Sequence, residues 1–149
     1  MAKNRMVQQP KGFIRGFSAI HRAWLKLTGG RVGNKFHGEP IVLLTTKGRK
    51  TGKERTWPLL SLRDGDAYVF AASYGGHDHH PAWYLNLEAN PDVTIKDKGA
   101  TATGHARITS GAERATWYAR FVETYKAYGD YAEATDREIP IVIVEPRAR

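Results

Sequence analysis

The side chains with the most chemical potential form a cationic run broken by glycines, Thr45-Thr46-Lys47-Gly48-Arg49-Lys50-Thr51-Gly52-Lys53-Glu54-Arg55. Gly48 and Gly52 let the backbone turn and present N–H groups, Arg49 and Arg55 can fork onto phosphate oxygens, and Lys50 adds a point charge. The chemistry implied is the capture of a phosphorylated or otherwise polyanionic ligand. A solvated basic hairpin is the plainer alternative, because charge runs usually serve solubility. The run is not a Walker A loop: three residues separate its glycines, Glu54 follows Lys53, and Pro58 is incompatible with the helix that must come next.

A second segment, Ala72-Ser73-Tyr74-Gly75-Gly76-His77-Asp78-His79-His80-Pro81, ends an apolar run in a glycine pair and leads into Ala82-Trp83-Tyr84-Leu85-Asn86-Leu87. Such a turn offers backbone N–H groups and Ser73 to a ligand, with apolar cover nearby, and that combination suits a flat aromatic cofactor as well as a purely structural turn. The residues His77 to His80 invite a metal reading. Consecutive loop residues seldom converge on one ion, however, and no HExxH spacing is present, so a solvated or substrate-facing loop is expected and no metal. Tyr125, Tyr128 and Tyr131 recur every third residue. They are expected to run from a helix end past Gly129 into a loop, either as core packing or as phenol donors lining a pocket.

The elements that must position these groups follow from periodicity. Apolar residues Phe13, Phe17, Ile20, Trp24 and Leu27 mark an amphipathic helix over 11–28. It either covers the rest of the domain or meets an anionic membrane surface. Strands are expected at 41–46, 56–63, 67–73, 93–96, 102–109 and 139–145, with tight turns at Asp64-Gly65-Asp66 and Lys98-Gly99. A short helix should open at Pro81 and stop at Asn90-Pro91. Ser110 with Glu113 has the form of a capping box for a helix carrying Trp117, Tyr118, Phe121, Val122 and Tyr125. About six mostly antiparallel strands with three helices make an α+β barrel, not a doubly wound sheet.

Composition sets the outer bounds. The 149 residues suffice for one domain, with 1–10 and 147–149 expected to be flexible ends. Lys and Arg number 23 against 15 Asp and Glu, a net charge of +8 that favours an anionic partner. Cysteine is absent, which excludes disulfides, thiolate nucleophiles and iron–sulfur ligation. With no export signal or apolar span visible, a cytoplasmic protein is expected, with the 11–28 helix as its means of peripheral contact with the inner face of the membrane.

Taken in order, LLTTKGRKTGKERTWPL, AASYGGHDHHPAWYLNLEANP and ATDREIPIVIVEP resemble the deazaflavin-dependent nitroreductase family, the F420-dependent quinone and nitro reductases of actinobacteria. The resemblance covers roughly residues 10 to 146. It implies a split β-barrel, the reduced deazaflavin F420 as hydride donor, and a small electrophilic acceptor: a quinone, a nitroaromatic or an activated enone. It also implies site residues. Lys47, Gly48, Arg49, Lys50, Thr51, Arg55 and Pro58 match the phosphate-contacting stretch; Ala71, Ala72, Ser73, Gly75 and Gly76 match the segment along the deazaflavin ring, and Trp83 matches an aromatic on the cofactor side. Tyr125, Tyr128 and Tyr131 match the substrate-pocket wall, with Tyr131 the donor to the acceptor oxygen and Ser73 orienting ring or substrate. Where the family often has lysine before the proline, this chain has His79 and His80. Family members occur as monomers, while related barrels dimerise, so both states stay open. The rival readings are an FMN-dependent oxidoreductase on the same barrel and a nucleic-acid-binding barrel with Trp57, Tyr68 and Tyr74 as stacking platforms; the expectation is no nucleic-acid partner.

Overall fold

The computed structural model describes residues 35–36 and 39–147. The helix expected over 11–28 lies outside them. Eight strands run in chain order as β1 (Lys35–Phe36), β2 (Glu39–Lys47), β3 (Glu54–Leu60), β4 (Leu62–Asp64), β5 (Ala67–Ala71), β6 (Asp92–Asp97), β7 (Ala100–Ile108) and β8 (Ile141–Pro146). Helix α1 (Ala82–Ala89) lies between β5 and β6, and α2 (Gly111–Thr124) and α3 (Ala127–Ala134) lie between β7 and β8.

All strand pairings are antiparallel, and the sheet runs β3-β2-β6-β7-β8-β5-β4, with β1 pairing the start of β2. Its two ends, β3 and β4, are consecutive in the chain with Ser61 alone between them. Seven flat strands would span roughly 29 Å, while two Cα steps cover about 8 Å, so the sheet must curl until its ends meet. The result is a barrel. What reads in sequence as one strand over 56–63 is therefore two, divided at the buried Ser61. Its N–H continues the β2 ladder onto the Pro40 carbonyl at 3.0 Å, and its hydroxyl donates to the Leu62 carbonyl at 2.8 Å. The expected tight turns form: Asp64 pairs Ala67, and Asp97 pairs Ala100 across Lys98 and Gly99, both at positive φ as a type I′ hairpin requires.

Strands β5 and β8 are buried on both faces, which is why Ile141-Val142-Ile143-Val144 is an unbroken apolar run. Alternate residues separate into two cores. Tyr68, Phe70, Val142 and Val144 join Val42, Leu44, Trp83 and Leu87 in one; Val69, Ile141 and Ile143 meet Trp117, Tyr118, Phe121 and Tyr128 of α2 and α3 in the other. Each fully buried aliphatic side chain contributes about 1.5–3 kcal/mol relative to exposure. Phe121, at 0% exposure, is the hinge of the outer core, and Phe121→Ala would cost about 3–5 kcal/mol.

Three local expectations change. The Ser110–Glu113 box does not form: Ser110 makes no side-chain cap, and the Glu113 carboxylate instead accepts from both Nη1 and Nη2 of Arg107 at 2.7 and 2.9 Å. A forked guanidinium is the stronger competitor for a carboxylate. Pro81 sits one residue before α1, where its carbonyl accepts from Tyr84 and Leu85. Tyr128 and Tyr131 belong to a helix, not a loop. Gly129 and Asp130 are poor helix formers, but burying Tyr128 against Phe121 overrides that preference.

Candidate functional site

The cationic loop is shaped by its own backbone. Gly48 N–H donates to the Lys53 carbonyl at 2.8 Å and Gly52 N–H to the Gly48 carbonyl at 2.9 Å, with Gly52 at φ +73°. Lys47, Arg49, Lys50, Lys53 and Arg55 are all exposed, as is Thr51, while Gly48 and Pro58 are half-buried. Repulsion among these cations opposes a fixed arrangement, so the loop needs an anchor. That anchor is Asn86 of α1, only 3% exposed. Its Oδ1 accepts from Arg49 N at 3.2 Å and Arg49 Nη1 at 3.1 Å, and its Nδ2 donates to Thr46 Oγ1 at 3.1 Å. A guanidinium carries several N–H donors, and this contact engages Nη1 alone.

The glycine turn departs from β5 at Ala72, whose N–H donates to the Pro140 carbonyl at 2.9 Å. Tyr74, Gly75 and Gly76 follow at φ +47°, +61° and +79°. Gly76 has a second reason to lack a side chain: a Cβ there would lie 3.0 Å from the Tyr131 carbonyl oxygen and 3.1 Å from the Ala134 Cβ. The turn is therefore seated directly on α3. Ser73 and Gly75 are half-buried, as is Ala71, and Ala72 is fully buried.

Arg137, between α3 and β8, holds this turn from below. Its Nε donates to the His77 carbonyl at 2.8 Å, and Nη2 donates to the Ser73 and Ala72 carbonyls at 2.7 and 3.2 Å. Nη1 lies 3.1 Å from His80 Nδ1, and the His80 ring packs on Tyr84 at 4.7 Å. Burial, then the Arg137 charge, hold His80 below the ordinary imidazole value, against the pull of Glu88. The neutral ring offers Nδ1 as an acceptor. Thr135 Oγ1 donates to Asp78 Oδ1 at 3.2 Å, and the His77 ring is buried beside Tyr74. Within the segment expected to be solvated or substrate-facing, Asp78 and His79 are exposed while His77 and His80 are tied inward. Among the described residues no group of three or more His, Asp or Glu side chains could hold a metal ion.

The three tyrosines are stacked edge to face, Tyr125 on Tyr128 at 6.0 Å and Tyr128 on Tyr131 at 5.6 Å. Tyr128 is buried, and its carbonyl receives the Tyr118 hydroxyl; it serves as the backing against which the half-buried Tyr125 and Tyr131 stand. Burial foremost, then Tyr125 and Asp130, raise the Tyr131 phenol above its ordinary value, so it keeps its proton at neutral pH and can donate it. Trp83 is set apart from this group. At 4% exposure it packs edge-on against Phe70 at 6.2 Å inside the barrel, so it supports the site from behind. Tyr68, a stacking platform in the nucleic-acid reading, is also buried, with its hydroxyl on Asp97 Oδ2 at 3.0 Å and Arg63 over its ring at 3.8 Å.

Helix α1 joins the parts. It leaves the glycine turn at Pro81, and Asn86 holds the cationic loop about 7 Å further along the axis. Sequence reasoning found the loop, the turn and the tyrosines but neither Asn86 nor Arg137 as their organisers. The only signal for the two was a polar amide inside an apolar helix pattern and an arginine just before a buried strand.

Comparison with known proteins gives a consistent picture. Residues 18–146 match the model of a family described as F420H(2)-dependent quinone reductase. An F420H(2)-dependent quinone reductase of Mycobacterium tuberculosis is 39% identical over 140 residues, covering 86% of this chain and 89% of that protein. A solved F420-H2 dependent reductase is 44% identical with a TM-score of 0.66, covering 71% of this chain and 94% of its own. A further solved chain, described as a domain-swapped dimer, is 38% identical with a TM-score of 0.68 over 92% of this chain and 100% of that one.

Proposed function

This chain belongs to the F420H(2)-dependent quinone reductase family, an oxidoreductase family, and from that premise we propose that it reduces quinone-type acceptors with F420, and nitroaromatics or activated enones by the same route. One observation carries the assignment of parts: α1 links an exposed cationic loop, anchored by a buried amide, to a glycine turn seated on Tyr131. The donor set fits the coenzyme, whose phosphodiester and oligoglutamate tail call for several cations, and whose flat ring calls for backbone donors beside apolar surface.

Arg49, Lys50 and Arg55 would hold the phosphate and tail. Asn86 keeps Arg49 in place before the ligand arrives, so less ordering is needed on binding. The segment from Ala71 to Gly76 would receive the ring, with Ser73 available as a polar contact. Reduced F420, when bound, supplies the hydride. Tyr131, with Tyr125 at its side and Tyr128 behind, holds a proton ready for the acceptor oxygen and stabilises negative charge as it develops there. The close seating of the turn on α3 keeps ring and acceptor in contact. The assembly is either monomeric or homodimeric, which light scattering distinguishes.

The test is a fluorescence titration of the purified protein with F420 and with FMN, followed by anaerobic mixing of reduced F420 with menadione. Binding of F420 and menadione-dependent oxidation support the reading. Binding of FMN in place of F420 would move the protein to flavin chemistry.

A further inference from the structure

Arg137 has no role in the function proposed above, yet its side chain holds the glycine turn at several points. Its guanidinium takes the carbonyls of Ala72, Ser73 and His77, and the ring nitrogen of His80, from one half-buried position. Peptide groups are planar and trans, so a carbonyl held on one side sends the N–H of the same peptide to the other. Gripping the Ala72 and Ser73 carbonyls therefore turns the Ser73 and Tyr74 N–H groups away from the guanidinium, as an adjacent pair. Gly75 and Gly76 adopt positive φ freely and Gly76 N–H closes the turn onto the Ser73 carbonyl at 3.0 Å, but Tyr74 at φ +47° is disfavoured by its side chain, so the start of the turn needs support from outside.

We propose that Arg137 is the positioning residue that aims the Ser73 and Tyr74 amides at the polar edge of the bound ring, and that His80 is a proton-operated latch on it. The proposal rests on the reading that the ring lies along this turn. Neutral His80 accepts at Nδ1 from Arg137. Protonation converts that acceptor to a donor and places a second cation against the guanidinium, so the contact becomes repulsive. The groups around the ring are Arg137 from the segment after α3 and Tyr84 and Glu88 from α1. Tyr84 donates to Glu88 Oε2 at 3.3 Å, so that carboxylate is shared and only partly offsets the added charge. Because the folded state holds the His80 pKa below its unfolded value, the stability it confers is present above about pH 6.5 and is lost as pH falls through the folded value.

The experiment uses Arg137→Lys and His80→Asn in the full chain, with folding checked by near-ultraviolet dichroism. Lysine keeps the charge but cannot span the four acceptors, and asparagine supplies an oxygen near the Nδ1 position that does not titrate. Two readouts are taken at about pH 8 and about pH 5.5, on either side of the imidazole range: the Kd for F420, and amide hydrogen exchange of the 72–78 segment without ligand. Arg137→Lys is expected to raise the Kd about tenfold at pH 8 and to speed exchange in 72–78, in line with the loss of hydrogen bonds from a charged donor. The wild type is expected to lose affinity and gain exchange in acid beyond what His80→Asn shows. Wild-type exchange and affinity in Arg137→Lys would overturn the positioning role; an identical acid response in His80→Asn would overturn the latch, and that arm decides even if the lysine variant does not fold. Should the wild type bind no F420, the functional reading fails while ligand-free exchange still decides whether Arg137 and His80 govern the turn.

Discussion

The loop from Gly48 to Lys53 stands in solvent with its cations exposed and a single buried anchor, whereas the turn from Ala72 to His80 is seated on one helix and held by a half-buried guanidinium from outside it. The first achieves affinity through charge, which acts over several ångströms and tolerates small displacements. The second achieves geometry through hydrogen bonds and backbone contact, which do not. A side chain can therefore be lost from the loop at modest cost, while a Cβ added at Gly76 of the turn crowds the α3 backbone at 3.0 Å.

Gly76→Val should produce the largest effect. A β-branched residue is strained at φ +79°, and its Cβ meets helix backbone, so urea denaturation should show a loss of about 2–4 kcal/mol. A stability within experimental error of wild type would remove the contrast between the two regions. Next in size is Asn86→Ala, which strips the buried Thr46 hydroxyl and the Arg49 amide of their partner and should cost about 1–3 kcal/mol in the same assay. It should also weaken F420 binding, because the loop then has to be ordered by the ligand. Tyr131→Phe keeps the stacking on Tyr128 but removes the donor. Stopped-flow oxidation of reduced F420 by menadione should slow about tenfold or more, with little change in cofactor Kd. The smallest structural effect belongs to Lys50→Ala, with stability within about 0.5 kcal/mol and a Kd for F420 raised several-fold at low salt. That difference should shrink as ionic strength rises, since the charge is exposed and screened. An unchanged Kd in this variant would show that the loop does not carry the phosphate.

Much of the fold was legible from short-range pattern. Gly65-Asp66 and Lys98-Gly99 form the expected hairpins, the apolar spacing from Trp117 to Phe121 forms the expected helix, and Ile141 to Val144 forms a strand buried on both faces. Helix α3 escaped notice because Gly129 and Asp130 read as a break in the middle of it, and the break is overridden where Tyr128 finds the core. Trp83 could be placed in the right helix, but an aromatic side chain looks the same in sequence whether it faces a ligand or the interior. The split of 56–63 at Ser61 was invisible for a related reason: it exists because two distant edges of one sheet have to meet.

By itself the sequence determined the cationic loop, the glycine turn, the tyrosine spacing, and an α+β barrel that the resemblance sharpened to a family. These depend on charge, backbone freedom and periodicity within a dozen residues. The tertiary structure alone decided what holds the site together. Asn86 reaches its partners across 37 and 40 residues of chain, and Arg137 across 57 to 65. Such contacts leave no local periodicity or motif, because their energy depends on where folding brings two segments together and not on which residues are neighbours in the chain.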